Sequence, residues 1–156
     1  EYTTQSEHSL VAVSKWESKW NKPFLAKEKK TIDETIDYIR CMTITQNIDP
    51  SVYNGLTPEL IEKVTKYIDA PMTATTFANN KGKANNEVVT SELIYYWMVA
   101  LNIPKECEKW HLNRLMTLIR ICNIKNQPAK KMSKREIMQR NSALNAARRA
   151  KLNSKG

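Results

Sequence analysis

Residues 91–125, SELIYYWMVALNIPKECEKWHLNRLMTLIRICNIK, form the densest apolar run of the chain. Leu93, Ile94, Trp97, Met98 and Leu101 recur at three- and four-residue spacing behind Thr90 or Ser91 as N-cap, the pattern of a helix with one inward face. Ile103-Pro104 breaks the run, because the residue before a proline is driven away from helical backbone angles. Pro104 suits the first position of a second helix, with Glu106 and Glu108 in its first turns and Trp110, Leu115, Leu118, Ile119 and Cys122 along its stripe. Two residues between helices force a tight corner, so the pair is expected to pack on itself or on one common neighbour. The rest of the chain is read as arranged around it.

Working outward, the remaining segments also read as helices. Ser9–Trp20 begins with alternating Leu10 and Ala12 and then offers Ser14-x-x-Glu17 as a capping box, with Trp16 and Trp20 four apart on one face. Residues 1–9 are expected to be frayed or extended, and His8 exposed. Phe24 and Leu25 look like a plug tying the basic loop behind them to the body. Thr31-Ile32-Asp33-Glu34 is a stronger capping box, opening a helix over 31–45 with Ile32, Ile36, Ile39 and Met42 inward. Asp49-Pro50 and Asn54-Gly55 mark turns. Thr57-Pro58-Glu59 starts another helix, with Leu60, Ile61, Val64, Tyr67 and Ile68 as its apolar stripe. Residues 72–87, rich in Thr and Asn, read as a long linker or a loop ordered against a partner. Ser133-Lys134-Arg135-Glu136 is a third capping box for a last helix reaching about Leu152, whose apolar positions (Ile137, Met138, Leu144, Leu152) are sparse.

Three glycines and six prolines in 156 residues leave little room for a turn-rich β fold. The expected class is all-α: a single helical domain of about five helices over residues 1–126, followed by a basic C-terminal helical tail over 127–156. Lys105, Glu106, Glu108, Lys109 and Arg114 interrupt the richest apolar segment, so nothing approaches the roughly 20 apolar residues of a membrane span. EYTTQSEHSL lacks the basic and apolar regions of a secretory signal. The net charge of +9 is unevenly placed: residues 1–124 hold fifteen cations and fifteen acids, whereas residues 125–156 hold ten cations against Glu136 alone. An electrostatic partner should therefore meet the tail.

Chemistry-bearing residues are few. Cys41, Cys107 and Cys122 lack metal-ligand spacing and read as reduced, buried thiols. Cys107 and His111 are four apart and would lie side by side on a helix, but the spacing is equally that of an amphipathic helix and no oxyanion motif accompanies it. Asp33, Glu34 and Asp37 are explained by capping and by the helix dipole. Phosphate-loop, dinucleotide and nucleophile-elbow motifs are missing. No catalytic residue, metal or cofactor is expected. A helix-turn-helix with His111, Asn113 and Arg114 reading base edges is conceivable but too apolar on too many sides. The tail is the better candidate for nucleic acid, through Lys130, Lys131, Lys134, Arg135, Arg140, Arg148, Arg149 and Lys151; an acidic protein surface would suit it equally.

Six phrases point to a family: HSLVAVSKWESKWNKPFL (8–25), TIDETIDYIRCMTI (31–44), MTATTF (72–77), TSELIYYWMVALNIP (90–104), WHLNRLMTLIRICNIKNQP (110–128) and KMSKREIMQRNSALNAARRAKLNSKG (131–156). Together they resemble the small tail assembly chaperones encoded among the tail morphogenesis genes of long-tailed bacteriophages. The resemblance implies a non-enzymatic helical protein that works in the host cytoplasm during assembly, shields the tape-measure protein and brings tail-tube subunits to it. Homo-oligomers remain compatible with it. The basic C-terminus departs from that pattern and points to a structural virion role or an acidic partner. Partner contacts are expected at exposed sides of Trp16, Trp20, Tyr95, Tyr96 and Trp110 and along the basic tail.

Overall fold

The computed structural model describes residues 3–78, 87–128 and 133–152. Among them are six α-helices and two short 3-10 helices, with no strand beyond two isolated antiparallel bridges, so the fold is all-α. The chain divides into two compact units, Glu1–Lys125 and Asn126–Gly156. No helix among the described residues is long and apolar enough to cross a membrane.

In the first unit, α1 (Leu10–Trp20) is the element the others surround; α2 (Ile32–Met42), α4 (Ser91–Ala100) and the 3-10 helix Lys105–Lys109 all lie against it. The hub is thus α1 and not the densest apolar run. Ser9 caps it, its hydroxyl accepting from the Ala12 N–H at 3.3 Å. The helix therefore starts before the Ser14/Glu17 box, which lies inside it and does not cap. The reason is burial: Leu10, Val13 and Trp16 share one side, all at most 1 % exposed, and helical backbone from Leu10 onward puts them there together. Asn21 ends α1 in the left-handed region, where its N–H reaches the Glu17 carbonyl.

The Thr31/Glu34 capping box of α2 forms in both directions. The expected inward stripe is rotated, however: Ile32 is 74 % exposed, and Glu34 and Asp37 are buried beside Tyr38, Ile39 and Met42. The helix stops at Met42, three residues short of Thr45. A 3-10 helix (Pro50–Gly55) capped by Asp49 leads to α3 (Pro58–Asp69), capped by Thr57 with Pro58 at its first position. Val64, Tyr67 and Ile68 pack on the core from α3, while Leu60 faces outward. Of the 72–87 segment, residues 79–86 lie outside the described residues; Phe77 sits under the Arg120 guanidinium at 3.9 Å.

The corner at Ile103-Pro104 is not tight. Pro104 opens the 3-10 helix Lys105–Lys109, and α5 (Leu112–Asn126) begins eight residues later than expected. A tertiary pairing outcompetes the local helix there. His111 bridges Ser9 in extended conformation, and the Leu112 N–H bonds the His8 carbonyl at 2.7 Å. Leu112, Leu115 and Ile119 then meet Ile94, Met98, Ile103 and Cys107 in the core.

The second unit contains α6 (Lys134–Leu152), 19 residues long and about 28 Å at standard rise. Its capping box forms: the Ser133 N–H bonds Glu136 Oε2 at 2.7 Å and the Glu136 N–H bonds Ser133 Oγ at 3.2 Å. Those bonds hold the Glu136 carboxyl below its usual range. No residue of α6 is buried.

Candidate functional site

The buried polar groups are committed to holding elements together. His8 is 2 % exposed, not exposed as its sequence position suggested. The segment carrying it is pinned and not frayed: the Glu7 N–H bonds the Met42 carbonyl and the Ile44 N–H bonds the Gln5 carbonyl, at 2.9 and 2.8 Å. His8 Nδ1 pairs with the Tyr38 hydroxyl, and its ring lies edge-on to His111, centroids 5.0 Å apart. Burial, and then the neighbouring His111, lower the His8 pKa to about 4. Burial also holds the Tyr38 hydroxyl far above its ordinary range, so that group stays neutral. His111 Nε2 donates to the Tyr67 carbonyl at 3.0 Å, while its Nδ1 accepts from the Asn113 N–H at 3.2 Å. With Nε2 donating and Nδ1 accepting, neither ring nitrogen is left for Cys107. Cys107 itself lies on the 3-10 helix, buried, with its thiol pushed up by burial and by Glu106. Cys107 and His111 therefore do not share the helix that was expected to set them side by side.

Carboxylates behave the same way. Glu17 accepts the Phe24 N–H at 2.9 Å through one oxygen and the Ser91 N–H at 2.8 Å and hydroxyl at 2.5 Å through the other. One side chain thus joins α1, the Phe24 plug and the start of α4. Burial opposes ionisation of Asp37, but hydrogen bonds from Lys19 and Trp20 outweigh it and its pKa falls. The Lys22 ammonium and the Thr31 N–H lower that of Glu34. Among the described residues, no three metal-ligating side chains converge.

The residues expected at partner surfaces separate. Trp16 is 1 % exposed, its Nε1–H donating to the Glu34 carbonyl, so it is core and presents nothing to a partner. Trp20 is half-buried on Trp16 and bonds Asp37. Tyr95 is half-buried and bonds Glu108 at 2.8 Å; Trp110 is half-covered by the Arg114 guanidinium at 4.0 Å. His111 and Asn113, the supposed base readers, are spent internally, Asn113 on the Ile68 and Ala70 carbonyls. Tyr96 is the aromatic left open, 65 % exposed.

Tyr96 has a neighbour that the sequence reading missed. Val99, 77 % exposed, follows it by three residues and Glu92 precedes it by four, so the three line one side of α4. The signal was present but ambiguous: apolar residues crowd α4 and Glu92 is its only charge, so the sequence does not set the Val99 side apart as outward. On another side Trp97 lines an open groove of about 570 Å³ with Phe77, Met116 and Arg120.

Along α6, Lys134, Arg135, Arg140, Arg148, Arg149 and Lys151 are all exposed. Lys130 and Lys131 lie outside the described residues. Comparison of the chain with protein-family models, curated proteins and solved structures returns no match.

Proposed function

We propose that this is a non-catalytic binding protein of phage tail morphogenesis, which holds tape-measure or tail-tube proteins during assembly. Its contact surface on the body is the Tyr96/Val99 side of α4. The observation that carries the binding role is that side itself: two large apolar groups stand in water on a helix with no cation and a single acid. A buried Tyr or Val side chain is worth about 1.5–3 kcal/mol relative to an exposed one, so a partner covering both has a strong apolar drive. The buried His, Glu and Asp groups fit the same reading, since each is engaged in joining helices. The tail-assembly setting rests on the sequence resemblance.

Co-expression with tape-measure and tail-tube proteins of the same phage tests it. A stable complex is expected, and Tyr96→Asp with Val99→Asp should weaken it tenfold or more while leaving the melting temperature close to that of the parent. Retention of full affinity by the double variant would remove α4 as the contact surface. A chaperone is also expected to be missing from purified particles; its presence there in fixed stoichiometry would favour a structural role.

A further inference from the structure

The α6 helix has a composition and exposure that the α4 surface does not account for. It carries six cations against Glu136, has no buried residue and contains no aromatic. A helix docking on protein by its apolar face needs a continuous stripe. At 100° per residue, Ile137, Leu144, Met138 and Leu152 fall within about 120° of one another, but Arg148 and Asn141 interrupt that side between the Ile137/Leu144 pair and the Met138/Leu152 pair. One side is coherent in a different sense. Met138, Asn141, Ser142, Asn145, Ala146 and Arg149 line a single shallow strip along the helix. Arg148 and Arg135 lie on opposite sides of the Asn141–Asn145–Arg149 line, and Lys134 lies at its start.

We propose that α6 binds duplex nucleic acid, lying along the major groove with the Asn141–Asn145–Arg149 strip toward the base edges and the flanking cations on the two phosphate backbones. The dimensions agree, since a helix with side chains is about 10–12 Å across and the groove about 12 Å wide. The chemistry agrees as well. Amide and guanidinium groups are the ones that pair bidentately with adenine and guanine edges, and flanking Arg and Lys neutralise phosphates. The lack of aromatics argues against single strands, which are held chiefly by stacking. Acidic protein is the competing partner, but it supplies no reason for amides on the same strip as Arg149. This inference is independent of the α4 surface.

The test is fluorescence anisotropy of the full-length chain with a labelled duplex of about two helical turns, across a salt series. Micromolar binding is expected, with a log–log salt slope of about −4 for four phosphate contacts, so affinity should fall roughly 150- to 250-fold between 50 and 200 mM salt. Full-length Arg148→Gln with Arg149→Gln, a change that keeps helix propensity, should weaken binding about tenfold or more and, through loss of the Arg148 phosphate contact, make the slope shallower by about 1. Circular dichroism verifies that the variant keeps its helix. Three results would overturn the proposal. One is no binding at roughly 100 µM protein in low salt. Another is displacement of the duplex by polyglutamate as effectively as by unlabelled duplex, which would mark an acidic protein partner. The third is equal or tighter binding of a single strand of the same charge.

Discussion

At the scale of single residues, His8 has the most to say about stability. Its pKa is 6.5 in an unfolded chain and about 4 in the fold, because charging it would place a cation among Tyr38, Phe24 and His111. The unfolded chain therefore holds more protons between those values, and stability rises with pH through that window. Acidification from pH 6.5 to 4 should cost up to about 3 kcal/mol from this group alone, read as a falling urea midpoint. His8→Phe should flatten that slope, at a fixed cost of about 1–2 kcal/mol for the hydroxyl of Tyr38 left without its acceptor. An unchanged pH slope in the variant would mean that another group carries the acid sensitivity. Nothing local marked His8 as internal, since Tyr38 is 30 residues away and His111 is 103 away.

At the scale of elements, the helix starts were readable because caps are local chemistry. Thr31, Thr57, Thr90 and Ser133 each accept from an amide three residues on, as their positions implied. What was not readable is how helices are tied to one another. Glu17 lies mid-helix in α1, where a glutamate ordinarily faces water, yet it accepts from Phe24 and from Ser91 at the head of α4. Glu17→Ala should strand two buried N–H groups and lower stability by roughly 2–4 kcal/mol in chemical denaturation. Ser18→Ala, on the adjacent exposed position, should stay within about 0.5 kcal/mol. Equal effects of the two changes would contradict the joint. The delayed start of α5 has the same origin: the Leu112 amide bonds the His8 carbonyl, a partner that no window of neighbouring residues contains.

At the scale of the whole molecule, burial among the described residues is confined to the first unit. The core of Leu10, Val13, Trp16, Ile94, Leu112 and Leu115 excludes water almost fully, whereas α6 buries nothing. A 19-residue helix without tertiary burial is marginal in water. Amides of α6 should therefore exchange with solvent orders of magnitude faster than those of Ile94, Leu115 or Ile119, which should track global unfolding. Comparable protection in both would show that α6 is held by contacts of its own. The sequence by itself determined the all-α class, most of the helix caps and the concentration of the whole net charge of +9 beyond residue 124, because propensity, capping and charge are properties of neighbouring residues. Only the tertiary structure decided that α1 is the hub, that Trp16, His8 and His111 are interior while Tyr96 and Val99 face water, and that Cys107 and His111 do not share a helix. Those outcomes depend on which distant surfaces exclude water from each other, and the burial of a long-range apolar stripe or hydrogen bond outweighs a local helical preference worth only tenths of a kcal/mol per residue.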